Sequence, residues 1–257
     1  MEDKYYIDQI IHRNDVIFRK LAKGKNMIHH KEKFEWFMTN PRGGIERIFG
    51  VHLDEENAND EIAKLIKKIK LNLAPNTINI TVNSTPCDIE DRLMSSGFKL
   101  CDSKYWGYGM AMDLHKMNFN YNISEKIKVK RVNDNEDFEY WINIINKALF
   151  CNEWFNSNDF KHLYKEDDLI LYVAYYDGEP AGISSACFDK EVADINFIAT
   201  LDKYRKKGIA TAAMLTALKE MQQIGVRTAT LGGDYLAVPL YEKTGFKIYC
   251  EFKLYKF

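Results

Sequence analysis

The chain has 257 residues, 46% of them hydrophobic and 28% charged, with 15 Tyr, 15 Phe and 4 Trp, a composition that builds packed cores and excludes a disordered polypeptide. Lys and Arg number 36 against 37 Asp and Glu, so the formal net charge is −1; no global positive field draws nucleic acid or anionic lipid, and any anion site must be local. The amino terminus is charged from its second residue and has no signal-peptide core, no apolar run reaches membrane-spanning length, and the five cysteines form no CxxC pair. A reduced, cytoplasmic protein without structural metal is expected.

In chain order, residues 61–69 carry apolar side chains at helical spacing, and 77–82 reads as a strand. Leu93 to Leu100 contains the tripeptide Gly97-Phe98-Lys99, and 105–112 is an aromatic-rich closing strand. Residues 116–125 are Asn-rich and without period, as in a linker. Residues 127–132 alternate like a half-buried strand. Asn133, Asp134 and Asn135 then supply cap-type side chains before a helix bearing Phe138, Trp141, Ile142, Ile144 and Ile145. A short helix is expected over 158–165. The strands 169–176 and 180–188 flank an Asp-Gly turn and read as a hairpin, followed by a strand over 191–200. A helix over 208–223 ends at Gly225, a strand covers 227–231, a helix 235–243 stops at Gly245, and 247–257 closes with one bent strand or two short ones. This order implies a mostly antiparallel sheet with helices on both faces.

The two halves echo one another. Leu93 to Leu100 resembles Tyr241 to Ile248, and Gly97 stands 148 residues before Gly245. At that offset the helices and strands of the halves superpose, which points to an internal duplication.

The sharpest local signal is Lys203-Tyr204-Arg205-Lys206-Lys207-Gly208, ahead of a helix. A helix start is positively polarised, with amides that have no internal partner, so four crowded cations there are costly unless an anion is bound. Gly208 permits close backbone approach, and the small residues Ala210, Thr211, Ala212 and Ala213 keep the first turns open. A bare charge run would be a solvated loop; placed on a helix start with glycine, it describes a pyrophosphate cradle. Neither a P-loop nor a GxGxxG fingerprint is present.

Arg205-Lys-Lys-Gly-Ile-Ala210 resembles the [RQ]-x-x-G-x-[GA] motif of the GNAT superfamily of acyl-CoA-dependent N-acyltransferases, and Leu240-Tyr-Glu-Lys-Thr-Gly-Phe246 resembles its L-Y-x-x-x-G-F signature. Order and spacing agree over 127–257. The resemblance implies an α/β (α+β) fold of two GNAT-like domains, each a mixed, mostly antiparallel central sheet flanked by helices. Residues 1–118 would be a degenerate domain without a CoA motif, and 126–257 the catalytic one. The first half has Glu55, Glu56 and Asp60 where the second has its basic turn, which suits a helix end that binds no anion.

The resemblance further implies that acetyl-CoA is the acyl donor. Its pantetheine arm would pair with the strand at Phe197, Ile198 and Thr200, with the Ile198 amide facing the thioester oxygen. Its phosphates would lie against Arg205, Lys206, Lys207, Gly208, Ile209, Ala210 and Thr211. A neutral primary amine of a small molecule or peptide would attack in a ternary complex, with Tyr241 donating to the leaving sulfur. Asp194, expected on the same strand side as Asn196 and Ile198, is the first candidate base, ahead of Glu153 and Asp234. Cys187, without a nearby His, reads as packing rather than as a nucleophile. No metal, nucleic acid or membrane enters this reading, and the protein would act as monomer or homodimer. A non-catalytic acyl-CoA-binding or partner-binding module is the alternative.

Overall fold

The computed structural model describes every residue except Met1 and Trp106, so the second residue of the expected 105–112 strand lies outside the described residues. Helix α1 (Glu2–Leu21) opens the chain. The first half continues with β1 (Met27–Lys31), β2 (Glu35–Thr39), β3 (Arg47–Phe49), α2 (Ala58–Lys70), β4 (Thr77–Ile80), α3 (Ile89–Ser95), β5 (Lys99–Leu100) and β6 (Gly107–Asp113). The second half runs β7 (Ile127–Arg131), α4 (Asn135–Ile144), α5 (Ser157–Phe160), β8 (Leu169–Tyr176), β9 (Glu179–Phe188) and β10 (Val192–Thr200). It closes with α6 (Ile209–Gln223), β11 (Thr228–Gly233), α7 (Val238–Lys243) and β12 (Lys247–Lys256). A π-helical turn, Ile145–Phe150, extends α4.

The strands join in the order β1-β2-β3-β4-β12-β6-β11-β10-β9-β8-β7, with β5 against β12. Pairing is mostly antiparallel; the parallel contacts between named strands are β3 with β4, bridged by α2, and β10 with β11, bridged by α6. Each half lends its closing strand to the other. β6 lies antiparallel to β11, β12 lies antiparallel to β4, and β6 and β12 pair with each other. The mixed sheet is therefore continuous through both halves, with helices on its faces.

The duplication read from the sequence is repeated in hydrogen bonds. After α3, Gly97 adopts φ +101°, its amide donates to the Met94 carbonyl at 3.0 Å, and the Phe98 amide donates to the Leu93 carbonyl at 3.0 Å. After α7, Gly245 adopts φ +104°, with the matching bonds to Glu242 at 3.0 Å and from Phe246 to Tyr241 at 3.1 Å. Only glycine takes this left-handed helix stop without strain, and it drives the following Phe into the core in both halves.

The sequence reading made no element of residues 2–21, yet Tyr6, Ile10, Arg13, Ile17 and Leu21 recur at three- and four-residue steps and are all buried. They lay α1 across β6, β10, β11 and β12. Gly109 of β6 allows that approach, because a Cβ there would stand 2.6 Å from Ile10 Cγ2 and 2.5 Å from Cys250 Sγ. Ion pairs fasten α1 at both ends of the sheet. Arg13 meets Asp189, Lys20 meets Glu166 at 2.9 Å and Asp168 at 2.5 Å, and Arg19 meets Glu35 at 2.6 Å.

Beside the Arg19–Glu35 pair, Asp15 is drawn out of water, and burial lifts its carboxyl from 3.8 to about 6; Arg19 opposes the rise and Glu35 adds to it. The folded chain thus keeps a proton that the unfolded chain has already released. Stability from this group is present below 3.8 and lost as pH rises to about 6, an effect of roughly 2–3 kcal/mol. In urea titrations Asp15→Asn should gain on the parent by that order between about pH 4 and about pH 7. A constant difference between the two proteins would remove Asp15 as the cause.

Candidate active site

The site grows from three residue pairs. β10 and β11 run in parallel register only at Val192–Thr228, Ala193–Ala229 and Asp194–Thr230, and past this point the β11-facing edge of β10 has no ladder partner among the described residues. Asp194 stands at the fork, 3% exposed. Its Oδ1 accepts from Thr230 Oγ1 at 2.8 Å and its Oδ2 from Asn196 Nδ2 at 2.7 Å. Burial raises its pKa, against these two hydrogen bonds and the nearby Arg13, which lower it.

Two residues further on, β10 bulges. Asn196 pairs with Ser185 and Ala199 with Ile183, leaving Phe197 and Ile198 opposite Ser184 alone, with Phe197 at φ +51°. The extra residue shifts the alternation of side chains. Phe197 and Ala199 pack with Trp141 on the α4 face, while Ile198 joins Ala193 and Ile195 on the α6 face. The expectation that Asp194, Asn196 and Ile198 share one side of the strand is therefore corrected, since the bulge turns Ile198 to the opposite face from Asp194.

Helix α6 begins where the basic turn predicts. Gly208, at φ +84°, precedes its first residue, Lys206 is also left-handed at φ +60°, and the first turn holds no acidic side chain. Among the described residues, the amides of Lys206 to Thr211 donate to no protein oxygen, which leaves a row of donors on a positively polarised helix end. Gly182 of β9 sets the depth of this helix start: a Cβ there would stand 2.6 Å from Ile209 Cγ2 and 2.9 Å from the Ala199 carbonyl.

The parted strands, the basic turn and α7 enclose a cleft of about 510 Å³. Of the residues singled out in the sequence, Ile198, Thr200, Arg205, Lys206, Gly208, Ile209, Ala210, Thr211 and Tyr241 line it. Thr200 Oγ1 is buried there with no hydrogen-bond partner among the described residues. These features fit CoA: orphan amides for its pyrophosphate, an open strand edge and a spare hydroxyl for its pantetheine arm. Tyr241 is 6% exposed and packs its ring over Gly233, where a Cβ would stand 2.6 Å from ring carbon Cε2. Burial, reinforced by Asp234, raises its phenol pKa, so the hydroxyl keeps its proton.

Other expected residues stand elsewhere. Lys207 does not line the cleft, and its ammonium lies 4.5 Å from the Tyr176 ring centroid and 5.6 Å from that of Tyr204. Arg205 is also engaged by Asp202 at 2.9 Å. Phe197 faces a second cavity, on the far side of β10. Asp234 does line the cleft, but its Oδ1 accepts the amides of Leu236 and Ala237, both at 2.9 Å, and caps the approach to α7. Glu153 is exposed and accepts from Asn146 Nδ2 at 3.3 Å. Cys187 is fully buried, and burial pushes its thiol up to about 12, which keeps it protonated.

The sequence reading missed Ala148 and Leu149, which reach the cleft from the π-helical turn, and Leu236, Ala237 and Leu240 from the α7 side. Leu149 and Leu236 are 40% and 72% exposed, so they lie in no core periodicity that would have marked them. Among the described residues, no helix is long and apolar enough to cross a membrane.

The model of the Acetyltransferase (GNAT) family matches residues 136–246. In fold, the chain is similar to a GCN5-related N-acetyltransferase from Kribbella flavida, with a TM-score of 0.68 and 14% identity over 96% of this chain and 95% of that one. It is also similar to a GCN5-related N-acetyltransferase from Sphaerobacter thermophilus, with a TM-score of 0.65 and 14% identity over 88% and 76% of the two chains. A tandem GNAT protein from the clavulanic acid biosynthesis pathway has a TM-score of 0.59 and 10% identity over 96% and 94%. No curated protein gives a significant match. The segment matched by the family model spans the hairpin, the bulged strand, the basic turn and the Tyr241 helix, so the second half of the chain carries the match to the Acetyltransferase (GNAT) family, and the likeness to the solved structures extends the shared fold over nearly the whole chain.

Proposed function

We propose that the protein is an N-acetyltransferase that moves an acetyl or other small acyl group from acetyl-CoA to a primary amine of a small molecule or peptide. The observation that carries this reading is the coincidence, in one cleft, of the orphan amides at the start of α6, the open edge of β10 and the phenol of Tyr241. Acetyl-CoA supplies the acyl group in activated form, as a thioester. The amides of Lys206 to Thr211 hold its phosphates, with Arg205 and Lys206 outside them. The edge of β10 orients the arm, and the Ile198 amide faces the oxygen on which negative charge develops. Tyr241 offers its retained proton to the sulfur.

Residues 126–257 are proposed as the catalytic unit. Residues 1–118 are proposed as a degenerate GNAT-like unit without CoA: the first turn of α2 carries Asp60 and Glu61, which neutralise that helix end from within. Asp194, sealed at the fork, is given a structural role, and the amine's proton passes to water or to Glu153. One observation favours the rival reading of a binding module without turnover. The two carboxylates nearest the chemistry, Asp194 and Asp234, already accept two hydrogen bonds each.

Thiol release from acetyl-CoA across a broad amine panel separates the two readings, since a module would bind the donor and release none. Gly208 has room for a side chain, its ideal Cβ meeting nothing nearer than Ile127 Cδ1 at 3.9 Å, but its φ of +84° does not suit one. Gly208→Val should tilt the amides and weaken CoA binding by roughly tenfold or more, at a cost of about 1–2 kcal/mol in stability. Titration calorimetry at low ionic strength checks this, and an unchanged affinity would sink the cradle.

Tyr241→Phe removes only the hydroxyl. Its kcat should fall roughly 100-fold while KM for acetyl-CoA stays within about twofold. Steady-state thiol release reads both constants, and an unaltered kcat would leave Tyr241 a packing residue.

A further inference from the structure

A second cavity, of about 680 Å³, lies across β10 from the first. Two short segments form the partition between them. Phe197 faces this cavity and Ile198 the donor cleft; Phe150 faces it while Ala148 and Leu149 face the donor cleft. The volume suits one small molecule. Aromatic rings from both halves line it, Phe18 and Phe37 from the first and Phe150, Trp154 and Phe197 from the second.

Its charges do not balance. Arg42, Glu46, Arg47 and Lys256 are the charged residues of the lining. Arg42 and Glu46 satisfy each other at 2.6 Å. Among the described residues, neither Arg47 nor Lys256 has a carboxylate within ion-pair distance. Arg47 lies on β3 with its guanidinium 5.8 Å from the Phe18 ring centroid, and its Nη1 donates to Oδ1 of the buried Asn79 at 2.9 Å. That one neutral partner leaves the rest of the guanidinium fork unused. Burial alone draws its pKa below the ordinary arginine value, with no anion pulling the other way. Arg47 is half-buried, and a cation drawn partly out of water is ordinarily matched by an anion, which none of the described residues supplies within ion-pair distance.

We propose that this cavity receives an amine that also bears a carboxylate, with the carboxylate on Arg47 and the remainder among the aromatic rings. The proposal rests on the acyl-transfer reading for calling this molecule the acceptor. Arginine's planar fork pairs bidentately with a carboxylate, and the donors left free on Arg47 suffice for one. A phosphate, with more charge and more oxygens, would require further fixed donors, and Lys256 is exposed on the cavity rim. An amino group held in this way would lie close to the bulge of Phe197 and Ile198, where the two cavities share their wall.

The test titrates α-, β- and γ-amino acids, each beside its decarboxylated amine and its aminophosphonate analogue, into the full-length protein saturated with CoA. At least one amino acid should bind better than its decarboxylated partner. Arg47→Gln should weaken it roughly 10- to 100-fold while the affinity for CoA, measured separately, holds. Lys256→Gln, on an exposed strand end, should weaken it a few-fold and guards against misfolding of the Arg47 variant. Equal binding of every amino acid and its decarboxylated partner, a preference that survives Arg47→Gln, or tighter binding of the aminophosphonates would each overturn the proposal. Thiol release read in the same mixtures separates the two levels. Acetylation indifferent to the carboxylate would leave acyl transfer standing and remove this proposal. Arg47-dependent amino-acid binding without thiol release would do the reverse.

Discussion

β10 and β11 are held together by three residue pairs, and the buried carboxylate of Asp194 fastens the last of them. Thr230 reaches it from one strand and Asn196 from further along the other, so both its oxygens are occupied just where the strands diverge. A buried carboxylate is expensive, and removing either donor would leave it under-satisfied. That expense fixes the place of the fork. Beyond it a strand edge stands open inside the protein, a state that sheets normally avoid, and the open edge forms one wall of the cleft at the start of α6. The residue that sequence reasoning put forward as a base is thus the one that holds the fork where it is.

The exchange of closing strands gives this fork a firm surround. β6, from the first half, supplies the partner that β11 needs on its other side, and β12 carries the second half's sheet on to β4. Neither half can move off the other without breaking a ladder of backbone hydrogen bonds. α1 crosses the junction, with ion pairs reaching Glu35 on one side and Asp168 and Asp189 on the other. A cavity lined by both halves consequently sits in a rigid frame.

Most of the second half's elements were legible because hydrophobic period and glycine stops coincide: the strand 169–176 and the helix ending before Gly225 are found at the expected places. The start of α6 was legible because its signal is local, four cations and a glycine in sequence. What escaped the reading depends on relations between distant residues. The bulge at Phe197 has no mark in Asp-Ile-Asn-Phe-Ile-Ala, and only pairing with Ser184 reveals that the side-chain alternation slips there. The exchange of β6 and β12 is equally silent, because each strand is apolar and aromatic enough to fit either sheet. α1 was passed over although its period is present; its charged residues masked a face where Arg13 and Lys20 are themselves buried, paired with carboxylates far along the chain.

The two halves treat positive charge differently. At the start of α2, Asp60 and Glu61 neutralise the helix end from within, whereas the matching turn of α6 has no acid and leaves its amides exposed to the cleft. In the first half Arg47 has no carboxylate within ion-pair distance among the described residues, and Ile195 stands 148 residues on, at the offset that aligns Gly97 with Gly245. A chain with a net charge of −1 has the carboxylates to quench both spots. Instead, among the described residues, the amides at the start of α6 have no protein acceptor and Arg47 has no carboxylate, and the cavities they line lie on opposite sides of a single bulge. Both spots draw an anion for the same physical reason, a donor group that the surrounding protein leaves without a negative partner.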